Sequence, residues 1–123
     1  MTTDTVKCIC IDGKAADPEH GMPAYSTPGA AAMDLRAVEP CTLRHGEITV
    51  VSTGLRITIP DGYCGLVIPR SGLAAKCGVT VVNAPGLIDP DYRGEIKVIM
   101  TTLSMEPVEL CAQHARIVPL AHA

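Results

Sequence analysis

Two polar turns set among β-branched runs hold the residues of this chain best suited to chemistry. The first, Pro69-Arg70-Ser71-Gly72-Leu73, presents a guanidinium, a hydroxyl and a glycine amide, the groups that bind phosphate. The second runs from Asn83 to Gly94 and places Asp89 and Asp91 beside Tyr92, one of only three aromatic residues in the chain. Cleaving a phosphoanhydride needs a water that is oriented and partly deprotonated beside a highly charged group, and a carboxylate at the edge of a turn can do that. An anion cradle, a base and an aromatic wall together point to a nucleotide phosphohydrolase. Each residue also has a plainer use. Asp89-Pro90-Asp91 is ordinary turn chemistry, Ser71 suits a helix N-cap, and Asn83 suits a left-handed turn. Tyr92 could fill a core, although its neighbours Asp91 and Arg93 place it poorly for one.

These turns need strands to hold them, and strand signals dominate the chain. Runs at 6–11, 48–51, 55–59 and 63–68 read as strands; in the third, Leu55, Ile57 and Ile59 alternate with Arg56 and Thr58. Pro60-Asp61-Gly62 turns the chain between the last two. Residues 71–76 form the one convincing helical turn, with Ser71 as its N-cap. The runs 79–82 and 96–103 flank the second polar turn like the arms of a hairpin. The segment 15–29 holds three prolines and two glycines with little periodicity, so it reads as a surface loop. Many short strands separated by turn signals imply an all-β barrel or sandwich.

Composition narrows the field further. At 123 residues the chain is expected to form a single domain, 1–123, and no repeat or low-complexity tract divides it. It is 47% hydrophobic with no Trp and no Phe, so its core must be built from Val, Ile, Leu, Ala and Met. Ten basic residues against thirteen acidic ones give a net charge of −3, with no basic run, so no nucleic-acid surface is expected. No stretch approaches membrane-spanning length and no signal peptide opens the sequence, which implies a cytoplasmic protein with no membrane partner. Cys8, Cys10, Cys41, Cys64, Cys77 and Cys111 follow no disulfide-scaffold or zinc-site spacing. They read as reduced thiols, Cys8, Cys10 and Cys64 being small apolar fillers within strands. His20, His45, His114 and His122 have no ligand spacing and read as solvated loop residues.

The motifs resemble those of the trimeric dUTP pyrophosphatases (dUTPases). Pro69 to Leu73 matches the family's Pro-Arg-Ser-Gly-Leu, and Gly86 to Gly94 matches its Gly-x-Ile-Asp-x-Asp-Tyr-x-Gly. Ala31 to Ala37 matches Ala-Gly-x-Asp-Leu-x-Ala except that Ala32 replaces the glycine, and Arg116 to Leu120 partly matches Arg-Ile-Ala-Gln-Leu. The resemblance covers residues from about 7 to 120. It implies a distorted jelly roll (a β-clip barrel) with one short helix, working as a homotrimer with shared active sites. The implied reaction is hydrolysis of dUTP to dUMP and pyrophosphate with Mg²⁺, limiting uracil in DNA and supplying dUMP.

The resemblance also implies roles. Asp89 activates the water, and Arg70, Ser71 and Gly72 hold the phosphates. Tyr92 lies against the deoxyribose and leaves no room for a 2′-hydroxyl, a steric exclusion. Asn83 and Gly86 line the uracil pocket, with backbone groups of Ala84 and Lys97 reading the base. Asp34 stands near the triphosphate and its Mg²⁺; outside the family context it would be an ordinary surface residue. Pro119 stands where the family has glutamine, and no glycine-rich arm precedes the last residue, Ala123, so slower turnover by orders of magnitude is expected. Two alternatives differ in class. A dCTP deaminase of the same fold would need a glutamate acting on cytosine, for which Glu95 is the candidate, and a residue other than Tyr92. A nucleotide- or partner-binding module would retain the site without turnover.

Overall fold

Alternating burial makes the strands. In Leu55–Thr58, Leu55 and Ile57 are buried while Arg56 faces solvent; in Lys97–Thr102, Val98, Met100 and Thr102 point inward and the residues between them do not. The computed structural model describes residues 7–10, 24–110 and 113–121. In chain order these form β1 (Lys7–Cys10), β2 (Ala24–Tyr25), β3 (Met33–Arg36), β4 (Cys41–Leu43), β5 (Thr49–Ser52), β6 (Leu55–Thr58) and β7 (Tyr63–Pro69). Then follow α1 (Ser71–Cys77), β8 (Val79–Val81), β9 (Gly86–Ile88), β10 (Lys97–Thr102), β11 (Val108–Leu110) and β12 (Gln113–Ala121). The all-β architecture with one short helix is as expected. Among the described residues no helix is long and apolar enough to cross a membrane.

The strands form four sheets that do not close into one barrel: β1-β6, β5-β10-β8, β11-β4 and β2-β3-β12-β7-β9. The arms 79–82 and 96–103 do pair, as β8 and β10, with Met100 opposite Val81. Between them the chain leaves that sheet, and β9 pairs instead with β7. The loop expected over 15–29 contains β2, which pairs with β3, while residues 15–23 lie outside the described set, as do Val6 and Ile11.

The fold's centre is the pair β7 and β12, antiparallel from Ala115 opposite Pro69 to Ala121 opposite Tyr63. No strand is expected at β12 from the sequence, where Pro119 breaks the apolar run and a proline cannot donate to a ladder. The register explains its presence. The other neighbour of β12, β3, reaches only from Gln113 to Ile117, so Pro119 lies beyond the doubly paired part of the strand. Gly65, buried in β7, is needed for closeness: a Cβ there would stand 3.1 Å from Ile117 Cδ1 and 3.2 Å from Ile59 Cδ1.

Leu35, Leu43, Val51, Ile57, Val67, Ile96, Val98, Met100, Leu110 and Ile117 belong to a single buried cluster drawn from strands of all four sheets and the residues beside them. Cys64 is buried as expected, and Cys64 and Cys77 are free thiols. Cys111 and the side chains of Cys8 and Cys10 lie outside the described set. His114 corrects the sequence reading: it is fully buried in β12, not solvated. His45 is exposed, while His20 and His122 fall outside the described residues. Without Phe or Trp, each aliphatic core side chain carries more of the burial. Met100→Ala is therefore expected to cost about 2–5 kcal/mol in urea unfolding, against under ~0.5 kcal/mol for exposed Met105→Ala.

Candidate active site

The last residue of β9 faces Gly65 of β7, so Asp89 emerges at that end of the ladder, where the chain turns sharply. The Tyr92 amide donates to the Asp89 carbonyl at 3.1 Å, closing a β-turn with Pro90 in its second position. Arg93 Nη1 secures the turn by donating to the Pro90 carbonyl at 2.6 Å. Asp89-Pro90-Asp91 is thus both a turn former and the setting of the expected base. Tyr92 is 43% exposed, which removes the core-filling alternative. Its hydroxyl donates to the Glu95 carbonyl at 2.7 Å, and its ring lies over Gly94, where a Cβ would stand only 2.6 Å from Oη. Gly94 is thereby fixed as glycine by the ring.

Asp89, Tyr92 and Lys97 line one groove of about 340 Å³, together with Val50, Leu87, Ile88, Glu95 and Ile99. Its lining mixes apolar side chains with charges of both signs, a combination suited to a base and sugar. Asn83 and Gly86 meet at the other end of β9: a Cβ on Gly86 would lie 3.3 Å from Asn83 Nδ2, so that amide lies over the glycine.

The phosphate-type residues lie elsewhere. Arg70 follows the far end of β7, and Ser71 and Gly72 open α1, both exposed. The expected Ser71 N-cap is a correction: Arg70 occupies the cap position in extended conformation, and the helix has no side-chain cap bond. The Ser71 hydroxyl thus does not cap its own helix. A Cβ at Gly72 would meet nothing within 4 Å. Arg70 Nη1 and Arg116 Nε both lie 3.4 Å from Asp34 Oδ1, bringing together residues from three separate motifs. Asp34 is buried, not the surface residue expected outside the family context. Its Oδ1 accepts no hydrogen bond from a described residue, so the pairing is electrostatic. Arg116 also donates from Nη2 to the Ala32 carbonyl at 3.0 Å, and Ala32 is itself buried, so its methyl is accommodated.

The structure therefore gathers most of the candidates into two groups, with Asn83 and Gly86 beside Val67 between them. Asp89, Tyr92 and Lys97 stand at the Gly65 end of β7, while Asp34, Arg70, Ser71, Gly72 and Arg116 stand at the Pro69 end. Five residues of extended chain put them roughly 15–20 Å apart. Two residues of the site were missed. Arg116 was visible only as the start of a partial motif, and Glu95 only as a candidate acid for an alternative reaction.

A dUTPase family model matches residues 19–120. The chain belongs to the dUTPase family. It is 53% identical over 90 residues to the deoxyuridine 5′-triphosphate nucleotidohydrolase of Streptomyces avermitilis, covering 73% of this chain and 51% of that protein. The namesake enzyme of Sinorhizobium medicae is 52% identical over 110 residues, 86% of this chain and 66% of its own length. The chain thus spans about half the length of the Streptomyces relatives it matches. Among solved structures, a mutant dUTPase of phage phi11 of S. aureus, described with a structural Mg(II) ion, superposes with a TM-score of 0.82 at 20% identity over 98% of this chain and 92% of that one. The Staphylococcus bacteriophage 80alpha dUTPase with dUpNHpp gives 0.83 at 19% over the same shares. At those identities the likeness establishes the fold, the family's jelly roll.

Asp34→Ala removes the carboxylate that faces both guanidiniums and should lower stability by about 1–3 kcal/mol in urea unfolding. A loss below about 0.5 kcal/mol would show that the cluster does not hold β3 to β12 and the end of β7.

Proposed function

We propose that this chain hydrolyses dUTP to dUMP and pyrophosphate at a site assembled from two copies. The observation that carries the reading is the groove in which Asp89, Tyr92 and Lys97 meet, inside a chain of the dUTPase family. Asp89 orients and partly deprotonates the attacking water. The Tyr92 ring presses on the deoxyribose and leaves no space for a ribose 2′-hydroxyl. Asn83, Gly86, Ala84 and Lys97 form the uracil pocket along β9 and the start of β10. Arg70, Ser71 and Gly72 hold the triphosphate, and the Ser71 hydroxyl, unused as a cap, donates to the oxygen of the leaving pyrophosphate.

Base and cradle must act on the same phosphate group, and a gap of roughly 15–20 Å within one chain forbids that. A homotrimer, in which the groove of one subunit faces the cradle of the next, resolves the conflict. Exposed Val50 and Leu87 beside the groove are apolar surface that such a neighbour would cover. The reduced thiols of Cys64 and Cys77 suit a cytoplasmic setting.

Mg²⁺ is tested by the donor set. Among the described residues no three His, Cys, Asp or Glu come together, and Asp34, the expected metal residue, already faces two guanidiniums. These residues do not fit an ion held by the chain alone. Mg²⁺ instead belongs to the substrate, carried by the triphosphate as Mg·dUTP, which is how this ion commonly binds. Asp34 then serves by holding Arg70 and Arg116 in place.

Asp89→Asn should lower dUTP turnover about 10²–10⁴-fold while nucleotide affinity stays within a few fold, measured by pyrophosphate release beside calorimetry. Wild-type turnover in the variant would remove Asp89 as the base. The same assay run on dCTP, with ammonia detection, distinguishes the deaminase reading.

A further inference from the structure

Glu95 lines the groove beside Asp89 and Tyr92, yet its carboxylate is already engaged. Oε2 accepts the Gly54 amide at 3.1 Å, while the backbone carbonyl of the same residue accepts the Tyr92 hydroxyl at 2.7 Å. The following residue is gripped from the same direction. The Ile96 amide donates to the Leu55 carbonyl at 2.8 Å, and the Ile96 carbonyl accepts the Thr53 hydroxyl at 2.6 Å. The corner between β5 and β6, residues 53–55, therefore clamps the peptide on which the tyrosine hydroxyl rests. Gly54 has φ +69°, the left-handed conformation that glycine adopts without strain, and this turn leaves its amide on the carboxylate.

The Tyr92 ring is thus held at two points. Its backbone is fixed by the turn from Asp89, and its hydroxyl by a carbonyl whose own position the Glu95 side chain secures. Gly94 lies beneath the ring and lets it approach the backbone closely. A steric filter discriminates only as well as its wall is held, since a ring free to swing would admit the excluded group.

We propose that Glu95 is a positioning residue for sugar selection: by anchoring on the Gly54 amide it fixes the carbonyl that holds the Tyr92 ring in place. The inference rests on the reading of the groove as a deoxynucleotide site. It requires an acceptor at residue 95 and not a negative charge, so a glutamine amide oxygen serves where alanine does not.

The test measures binding of the α,β-imido analogues of dUTP and UTP to the full chain, free of any dependence on turnover. Wild type is expected to prefer the deoxy analogue. Glu95→Ala should narrow that preference roughly tenfold, the weight of one hydrogen bond, and Glu95→Gln should restore most of it. Tyr92→Phe, which keeps the ring and loses the donor, should narrow it by a similar factor. Adding Glu95→Ala to it should cause little further change. An undiminished preference in Glu95→Ala, or a glutamine variant as impaired as alanine, overturns the inference while leaving the reading of the site intact. A wild-type chain that binds both analogues equally overturns both. If Glu95→Ala does not fold, Tyr92→Phe decides: an unchanged preference there shows that the Glu95 carbonyl does not set the ring.

Discussion

The register of β9 against β7 is the constraint from which the rest follows. Gly86 opposite Val67 and Ile88 opposite Gly65 fix which polar turn leaves which end of the ladder. The acidic hairpin emerges at one end and the cationic turn at the other. A slip of one residue would turn the apolar face of β9 outward and move both turns. Register is held because β7 is paired along both edges, to β12 and to β9, and because Gly65 admits Ile117 and Ile59 at close range.

Two small rigid assemblies grow from that ladder. At one end Asp34 is buried between Arg70 and Arg116, so strands far apart in sequence are joined by a single carboxylate. At the other end the Tyr92 ring, Gly94 and Glu95 form a compact hairpin fastened to the 53–55 corner. The first assembly is cationic on its exposed side, the second partly apolar with a free carboxylate at Asp89. Each carries part of what the proposed phosphoanhydride cleavage needs.

Much of this was legible in the residues, and the failures have physical causes. Leu55, Ile57 and Ile59 alternate cleanly, and β6 followed. The arms at β8 and β10 were readable because the polar turn between them is unmistakable. β12 was hidden by Pro119, whose tolerance depends on where β3 stops, a long-range fact. Histidine and aspartate at 114 and 34 read as surface residues because their type favours solvent, yet tertiary contacts bury both. The candidate residues could be named because motif spacing keeps chemical groups in order. Their division into two groups was not legible, since spacing along a chain does not reveal which end of a strand a turn occupies. Ser71 illustrates the same limit: its type suits a cap, but the helix begins one residue earlier than that role requires.

If base and cradle act from different copies, subunits that each lack one of them must complement each other when mixed. A chain carrying Asp89→Asn and a chain carrying Ser71→Ala are each expected to be nearly inactive toward dUTP. Unfolded together and refolded as mixed assemblies in equal amounts, they should regain about a quarter of wild-type activity, because that share of sites joins an intact groove to an intact cradle. No recovery in assemblies that contain both chains would contradict the account and place the two groups in a single subunit's site.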